Sequence, residues 1–350
     1  MEYAFTTLQT ELNYRDNPAE LFHHYCQNRS NTLLLESADV NSKENLKSLL
    51  VIDSAVKITA NNREVTYEAL SDNGMRLLSV IQHKLIELSV HVVLDETVLI
   101  ATFPNSLNNL SEDEKLRSLS IFDGLRVLLT IAQDTLESPE NFVVSGLFAY
   151  ELAYLFEPVA SDDFEKKCAD YTFYIAEHMI SLDHQTQKSR LISLIAENDC
   201  NASLYQQSEQ KHGSLIAQYA HSLSEVTHEL PVDLTMKVTT KIDDESFGQA
   251  VESFKRYIQQ GDVFQVVPSR QFSLACPSPF LSYLQLKKNN PSPYLFYMQD
   301  EEYVLFGASP ESALKYTKDS NEVELYPIAG TRPRGFSQDG SINRDLDSRL

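Results

Sequence analysis

The 350-residue chain contains no tryptophan, although Tyr and Phe number 17 each. Chance in a rare residue accounts for this on its own. The other reading is economy, since a protein made when tryptophan is scarce is better off not needing it. Cysteine is also sparse. Cys26, Cys168, Cys200 and Cys276 include no C-x-x-C pair, which leaves a zinc site or redox motif unsupported. Scattered thiols in a chain this long fit a reducing compartment. With only 10 Gly and 13 Pro, collagen-like and linker-type chains are excluded. Positive charge is short: 29 Lys and Arg stand against 50 Asp and Glu, a net charge of −21. A field of that sign repels nucleic acid and anionic lipid. An anionic substrate would need the field reversed locally, by clustered Arg/Lys or a metal. No apolar run approaches a membrane span. Met1 to Leu12 lacks both the basic start and the apolar core of a signal peptide. The expectation is a cytoplasmic protein with no nucleic-acid or membrane partner.

What is present is a globular composition, 42% hydrophobic and 23% charged. The length predicts about two domains. Asn17-Pro18 reads as a helix start, followed by Leu21, Phe22 and Tyr25 on one face. Leu33 to Leu35 is a short strand. Val51 to Thr66, with Asn61-Asn62 inside it, reads as a hairpin. Tyr67 to Leu88 has helical spacing, and Val92 to Phe103 reads as one strand. Ser111 with Glu114 forms a capping box expected to open a long helix through Leu129. Tyr171 to Leu182 and Ser189 to Ile195 are strands around a polar turn. Asn201 to Ser224 is helical, and residues 229–233 are the best linker candidate. Asp243 caps a helix that stops at Gly261. Val263 to Leu274 reads as a strand, and shorter strands follow to Ile328. Helices and strands alternate without a steady βαβ rhythm, which predicts an α+β fold with extended antiparallel sheets.

Four segments stand out. Pro327-Ile328-Ala329-Gly330-Thr331-Arg332-Pro333-Arg334-Gly335 runs a strand into a turn where a glycine lets backbone approach a ligand. Arg332 and Arg334 offer forked donors for carboxylate or phosphate. A surface turn with two solvated arginines accounts for it equally well. The Gly330/Gly335 spacing mimics a phosphate loop, but Phe336 stands where a Lys is required. Gly261 to Arg270 places Gln265 in apolar company, as a packed amide or a substrate-facing one. Asn290-Pro291-Ser292-Pro293-Tyr294 is a rigid turn feeding an aromatic strand. Leu34-Leu35-Glu36-Ser37 is a strand end with a possible helix cap.

Together with Gly307-Ala308-Ser309-Pro310-Glu311, these segments stand in an order that resembles the chorismate-utilising enzymes, and among them component I of anthranilate synthase. The resemblance runs from about Asn17 to Leu350. It implies an α+β fold of large antiparallel sheets packed as a sandwich with helices outside, truncated here. It divides the chain into a regulatory, tryptophan-binding region over 15–228 and the first part of a catalytic domain over 235–350. Family members continue past residue 350, so the chain is expected to be an N-terminal fragment, inactive alone. The Mg²⁺ ligands are expected beyond it.

Two positions separate members of the family. Where Gln265 stands, isochorismate and salicylate synthases carry a Lys that activates water; Gln has no titratable amine. Where Ala329 stands, aminodeoxychorismate synthases carry a nucleophilic Lys. The nucleophile is therefore expected from outside, as ammonia from a glutamine amidotransferase subunit, component II, in a heterotetramer. The resemblance implies catalytic roles for Gln265 and Thr331 and chorismate contacts for Gly330 and Thr331. It also implies feedback inhibition by L-tryptophan held by Ser37, Pro293, Tyr294 and Leu295, with Glu36 and Lys47 facing its charged groups. An aminodeoxychorismate synthase-like relative, or a non-catalytic fragment binding tryptophan or a partner, are the alternative readings.

Overall fold

The computed structural model describes residues 4–37, 46–104, 111–156, 168–197, 202–221, 237–318, 320–326, 337 and 341. The chain divides into two compact units, Met1–His228 with Pro279–Ser309, and Glu229–Ser278 with Pro310–Leu350. In chain order, the first unit runs β1 (Ala4–Leu12), α1 (Pro18–Cys26), β2 (Thr32–Glu36), β3 (Lys47–Asn61), β4 (Glu64–Ala69) and α2 (Asp72–Glu87). It continues with β5 (His91–Asp95), β6 (Val98–Thr102), α3 (Glu112–Arg117), α4 (Asp123–Thr135), β7 (Val144–Phe148), β8 (Tyr171–Asp183), β9 (Lys188–Glu197) and α5 (Ala202–Ala220). The second unit begins with β10 (Thr239–Thr240), α6 (Asp244–Gln260) and β11 (Phe272–Ser273). The chain then returns to the first unit for α7 (Pro279–Asn289), β12 (Tyr294–Gln299) and β13 (Val304–Ser309). The short pair β14 (Lys315–Thr317) and β15 (Glu322–Glu324) belongs to the second unit.

The first unit is built on one 11-stranded antiparallel sheet whose main path is β1-β9-β8-β3-β2-β12-β13. Strands β4, β6 and β5 continue from β3, and β7 pairs with β8. Helices mixed with a large antiparallel sheet make the fold α+β, as the irregular element order implies. Strand β12 pairs with β2 in the register Leu295↔Glu36 through Gln299↔Thr32. A segment late in the chain therefore completes a sheet begun near its start.

The long strand β3 changes face along its length. Leu50 and Ile52 pack into a core with α1, α5 and α7, whereas Val56 and Ile58 pack into a core with α2 and α4. Its pairing with β8 shifts register around Asp53 and Ser54. A bulge adds a residue and re-aims the side chains beyond it, which is how one strand serves two cores. Gly74, in the first turn of α2, sits against this bend: a Cβ there would lie 1.9 Å from the Ala55 carbonyl oxygen.

Several expectations hold and several change. Asn17 caps α1, its side chain accepting from the Glu20 amide. Asp243 caps α6, which ends at Gly261 in the left-handed region. Tyr67 to Ala69 closes β4, and the helix starts only after the Ser71 cap. Val92 to Phe103 is a hairpin, turned at Glu96 with φ of 45°. The capping box at Ser111 and Glu114 is present, but its helix stops at Arg117 because Ser118 is extended. A new helix begins at Asp123, whose carboxylate accepts from the Ser120 amide. Val263 to Leu274 forms a strand only at Phe272–Ser273, where Thr239–Thr240 supplies a partner. A β-prone run without a neighbour to bond stays irregular. The linker candidate at 229–233 lies outside the described residues.

Candidate functional site

One end of the β2–β12 pairing gathers residues separated by more than 250 positions in sequence. Leu295 is registered with Glu36, and Leu35 with Leu49 on the neighbouring strand β3. Ser37 follows the end of β2, Lys47 opens β3, and Pro293 and Tyr294 lead into β12. Antiparallel pairing therefore brings all six expected tryptophan-site residues to the same end of three adjacent strands, the β2–β12 edge. Leu295 is buried, Ser37 and Pro293 are half-buried, and Lys47 and Tyr294 are exposed. Successive strand residues face opposite ways, so the buried Leu295 faces the core and the exposed Tyr294 the other side, and this end of the strands offers a hydroxyl, an exposed ring and a cation.

Glu36 is engaged within the protein. Its side chain is 1% exposed, and Oε2 lies 2.6 Å from Lys287 Nζ. Its Oε1 accepts a hydrogen bond from the Tyr283 hydroxyl. Both oxygens are engaged within the protein, which is how a buried carboxylate is made tolerable. The Tyr283 phenol is pushed up by burial and then by the adjacent carboxylate. Beside this cluster, His184 bonds Ser48 Oγ through Nε2 and the Tyr14 hydroxyl through Nδ1, both at 2.8 Å. Burial holds the His184 imidazole below its ordinary pKa.

Sequence reasoning missed Tyr283, Lys287 and His184. The first two stand four apart on α7 and so share a helix face. That spacing does not point to a carboxylate, because Lys287-Lys288 reads as ordinary basic residues in a last helical turn.

In the second unit, Gln265 is exposed and lies outside any strand, between a fully exposed Phe264 and a half-buried Val266, with Val267 exposed again. The expected setting, an apolar strand, is absent there for want of a pairing neighbour. Arg270 is anchored locally, 2.6 Å from an Asp244 carboxylate oxygen and over the Phe247 and Phe272 rings at 5.0 and 4.6 Å. Ala329, Gly330, Thr331, Arg332 and Arg334 lie outside the described residues. Among the described residues, no three His, Cys, Asp or Glu side chains stand together as a metal site. The described residues therefore supply no such set of Mg²⁺ ligands. No described helix is long and apolar enough to cross a membrane.

Comparison with known proteins gives the family. The chain is 44% identical over 348 residues to anthranilate synthase component 1 of Vibrio cholerae, covering 98% of this chain and 65% of that protein. It is 45% identical over 340 residues to the Escherichia coli protein of the same name, covering 96% of this chain and 64% of the other. The chain thus spans less than two thirds of the length of these relatives. The solved structure of anthranilate synthase component I from Streptococcus pneumoniae aligns with a TM-score of 0.48 and 19% identity, over 80% of this chain and 54% of that one. A family model described as chorismate binding enzyme matches residues 94–349, well over half of the sequence. The chain belongs to the chorismate binding enzyme family.

Proposed function

We propose that this chain serves anthranilate synthesis as component I: chorismate and ammonia give anthranilate, pyruvate and water. The reading is supported by relatives of that name at 44% and 45% identity over nearly the whole chain. Two residue types narrow the chemistry. Gln265 cannot act as the base that would activate water. Ala329 cannot attack the ring as an amine would. Ammonia is then the nucleophile at ring C2, and the C4 hydroxyl leaves. Loss of the C2 proton with elimination of pyruvate aromatises the ring. We assign substrate contacts to Gly330 and Thr331, whose glycine allows close backbone approach. A glutamine amidotransferase, component II, is the proposed ammonia source in a heterotetrameric assembly. Mg²⁺ is the proposed cofactor, which would supply positive charge against a substrate dianion. The cytoplasm is the proposed location.

Tryptophan is the proposed feedback inhibitor, bound at the β2–β12 edge. The observation that carries this part is the convergence of Ser37, Lys47 and Pro293–Leu295 by strand register. Lys47 would face the ligand carboxylate. Glu36, whose carboxylate already meets the Lys287 ammonium, would face the ligand ammonium.

The test is product analysis of the full gene product with chorismate, Mg²⁺ and ammonium. Anthranilate and pyruvate in equal amounts are expected. Isochorismate or 4-amino-4-deoxychorismate, with no anthranilate, would overturn the assignment.

A further inference from the structure

A cavity of about 420 Å³ opens in the first unit, where the β3 bulge meets β8, α2 and α5. None of the residues assigned above to chorismate or tryptophan lines it. Its walls carry both signs of charge. Arg29 Nη1 lies 2.5 Å from Asp53 Oδ1, and Lys211 Nζ lies 3.4 Å from Asp53 Oδ2. Two cations, each about half exposed, thus share one carboxylate. Glu177 lines the same cavity from β8, across from Ser71 and Asn73 at the start of α2. Asp72 lies beside them.

The rear wall is fixed by a buried chain of hydrogen bonds. His178, paired with Asp53 across the bulge, bonds Ser193 Oγ through Nδ1 at 2.7 Å. Ser193 Oγ lies 2.6 Å from His212 Nδ1, and His212 Nε2 lies 2.9 Å from Thr10 Oγ1. A chain with partners at each link holds its members in one orientation and leaves a shaped polar wall.

The charge pattern selects among ligand classes. A simple anion would meet Asp53, Asp72 and Glu177. A simple cation would meet Arg29 and Lys211. A sugar would find no Phe, Tyr or Trp face to stack on among the lining residues. A molecule bearing both charges a few ångströms apart satisfies both sets, because each ligand charge replaces water with a fixed opposite charge. Ile52, Leu70 and Leu204 add a small apolar wall, and the volume is at the small end of ligand sites.

We infer that this cavity binds a compact zwitterion of the free α-amino acid class, its carboxylate toward Lys211 and Arg29 and its ammonium toward Glu177 and Asp72. Glu177 supports the ammonium end. Burial, then the neighbouring Asp53, push its carboxyl above the ordinary range, and an ammonium would reverse that. The site is separate from the β2–β12 edge, so it stands or falls apart from the tryptophan reading.

The experiment is ligand-observed NMR and thermal shift on the full chain with the common L-amino acids, with acetate and ethylamine as single-charge controls. At least one amino acid is expected to bind, and neither control. Lys211→Met should weaken that binding by about tenfold or more, since a charge-assisted contact is lost. Ser37→Phe should leave it unchanged. Lys211 is half exposed, so its variant is expected to keep the wild-type melting temperature. The inference is overturned if no amino acid binds, or if acetate alone binds as well. It is equally overturned if the only binding seen is lost in Ser37→Phe and kept in Lys211→Met.

Discussion

Lys287 Nζ lies 2.6 Å from Glu36 Oε2, joining a helix near residue 287 to a strand that ends at residue 36. The carboxylate is buried and the ammonium about a quarter exposed, so the pair falls between the surface and interior cases. Removing one partner leaves the other's desolvation uncompensated.

Lys287→Met should therefore cost about 2 kcal/mol, less than a fully buried pair would lose. Urea unfolding of the wild type and variant checks this. The double variant Glu36→Gln with Lys287→Met should recover part of the loss, because no unpaired charge then remains. A single variant as stable as wild type would mean the pair holds nothing in place.

Gly74→Ala sets two effects against each other. Alanine favours a helix interior by about 1 kcal/mol. The added Cβ would lie 1.9 Å from the Ala55 carbonyl oxygen, and a backbone clash at the β3 bulge outweighs propensity. The variant should lose about 2 kcal/mol or more, read as a lower melting temperature. A higher melting temperature would show that α2 can move away from β3 freely.

Stability should fall as pH drops below about 6.5. Burial lowers the His178 imidazole to about 4, despite Asp53 nearby, and burial lowers His184 and His212 as well. A histidine whose folded pKa is depressed takes up its proton more readily when unfolded. The unfolded state therefore gains from acid between pH 6.5 and about 4, and His178 alone accounts for up to about 3 kcal/mol. Arg29 and Lys211 face the ring and add to the depression. Glu177, raised by burial, works in the opposite direction below its own pKa. Denaturation midpoints measured across this range should decline, and His178→Asn should flatten the curve. A flat wild-type profile would contradict the buried, neutral state of His178.

What the sequence made legible was mostly local. The Asn17 and Asp243 caps, the Gly261 stop and the hairpin from Tyr171 to Glu197 depend on neighbouring residues and appear as expected. The bulge at Asp53 and the break at Ser118 were invisible, because tertiary packing and local backbone geometry decide them. The segment around Gln265 has strand composition but finds a pairing partner only at its end. At the proposed tryptophan site, Ser37, Lys47 and Pro293 to Leu295 came from motif resemblance, and strand register then brought them together. Tyr283 and Lys287 did not, since nothing in a helix with ordinary C-terminal lysines tells that they close on a carboxylate some 250 residues earlier.

The most direct test of the account is calorimetric titration of L-tryptophan into the chain and its Ser37→Phe variant, with the melting temperature of each measured alongside. Losing a buried hydrogen bond costs about 0.5–1.5 kcal/mol, and a bulky ring in the pocket adds a clash. The account predicts saturable binding by the wild type, weakened at least about tenfold in the variant, at a nearly unchanged melting temperature. Equal affinity for tryptophan in both proteins, with only the variant's melting temperature lowered, would show that Ser37 is a strand-end cap and would contradict the assignment of the β2–β12 edge.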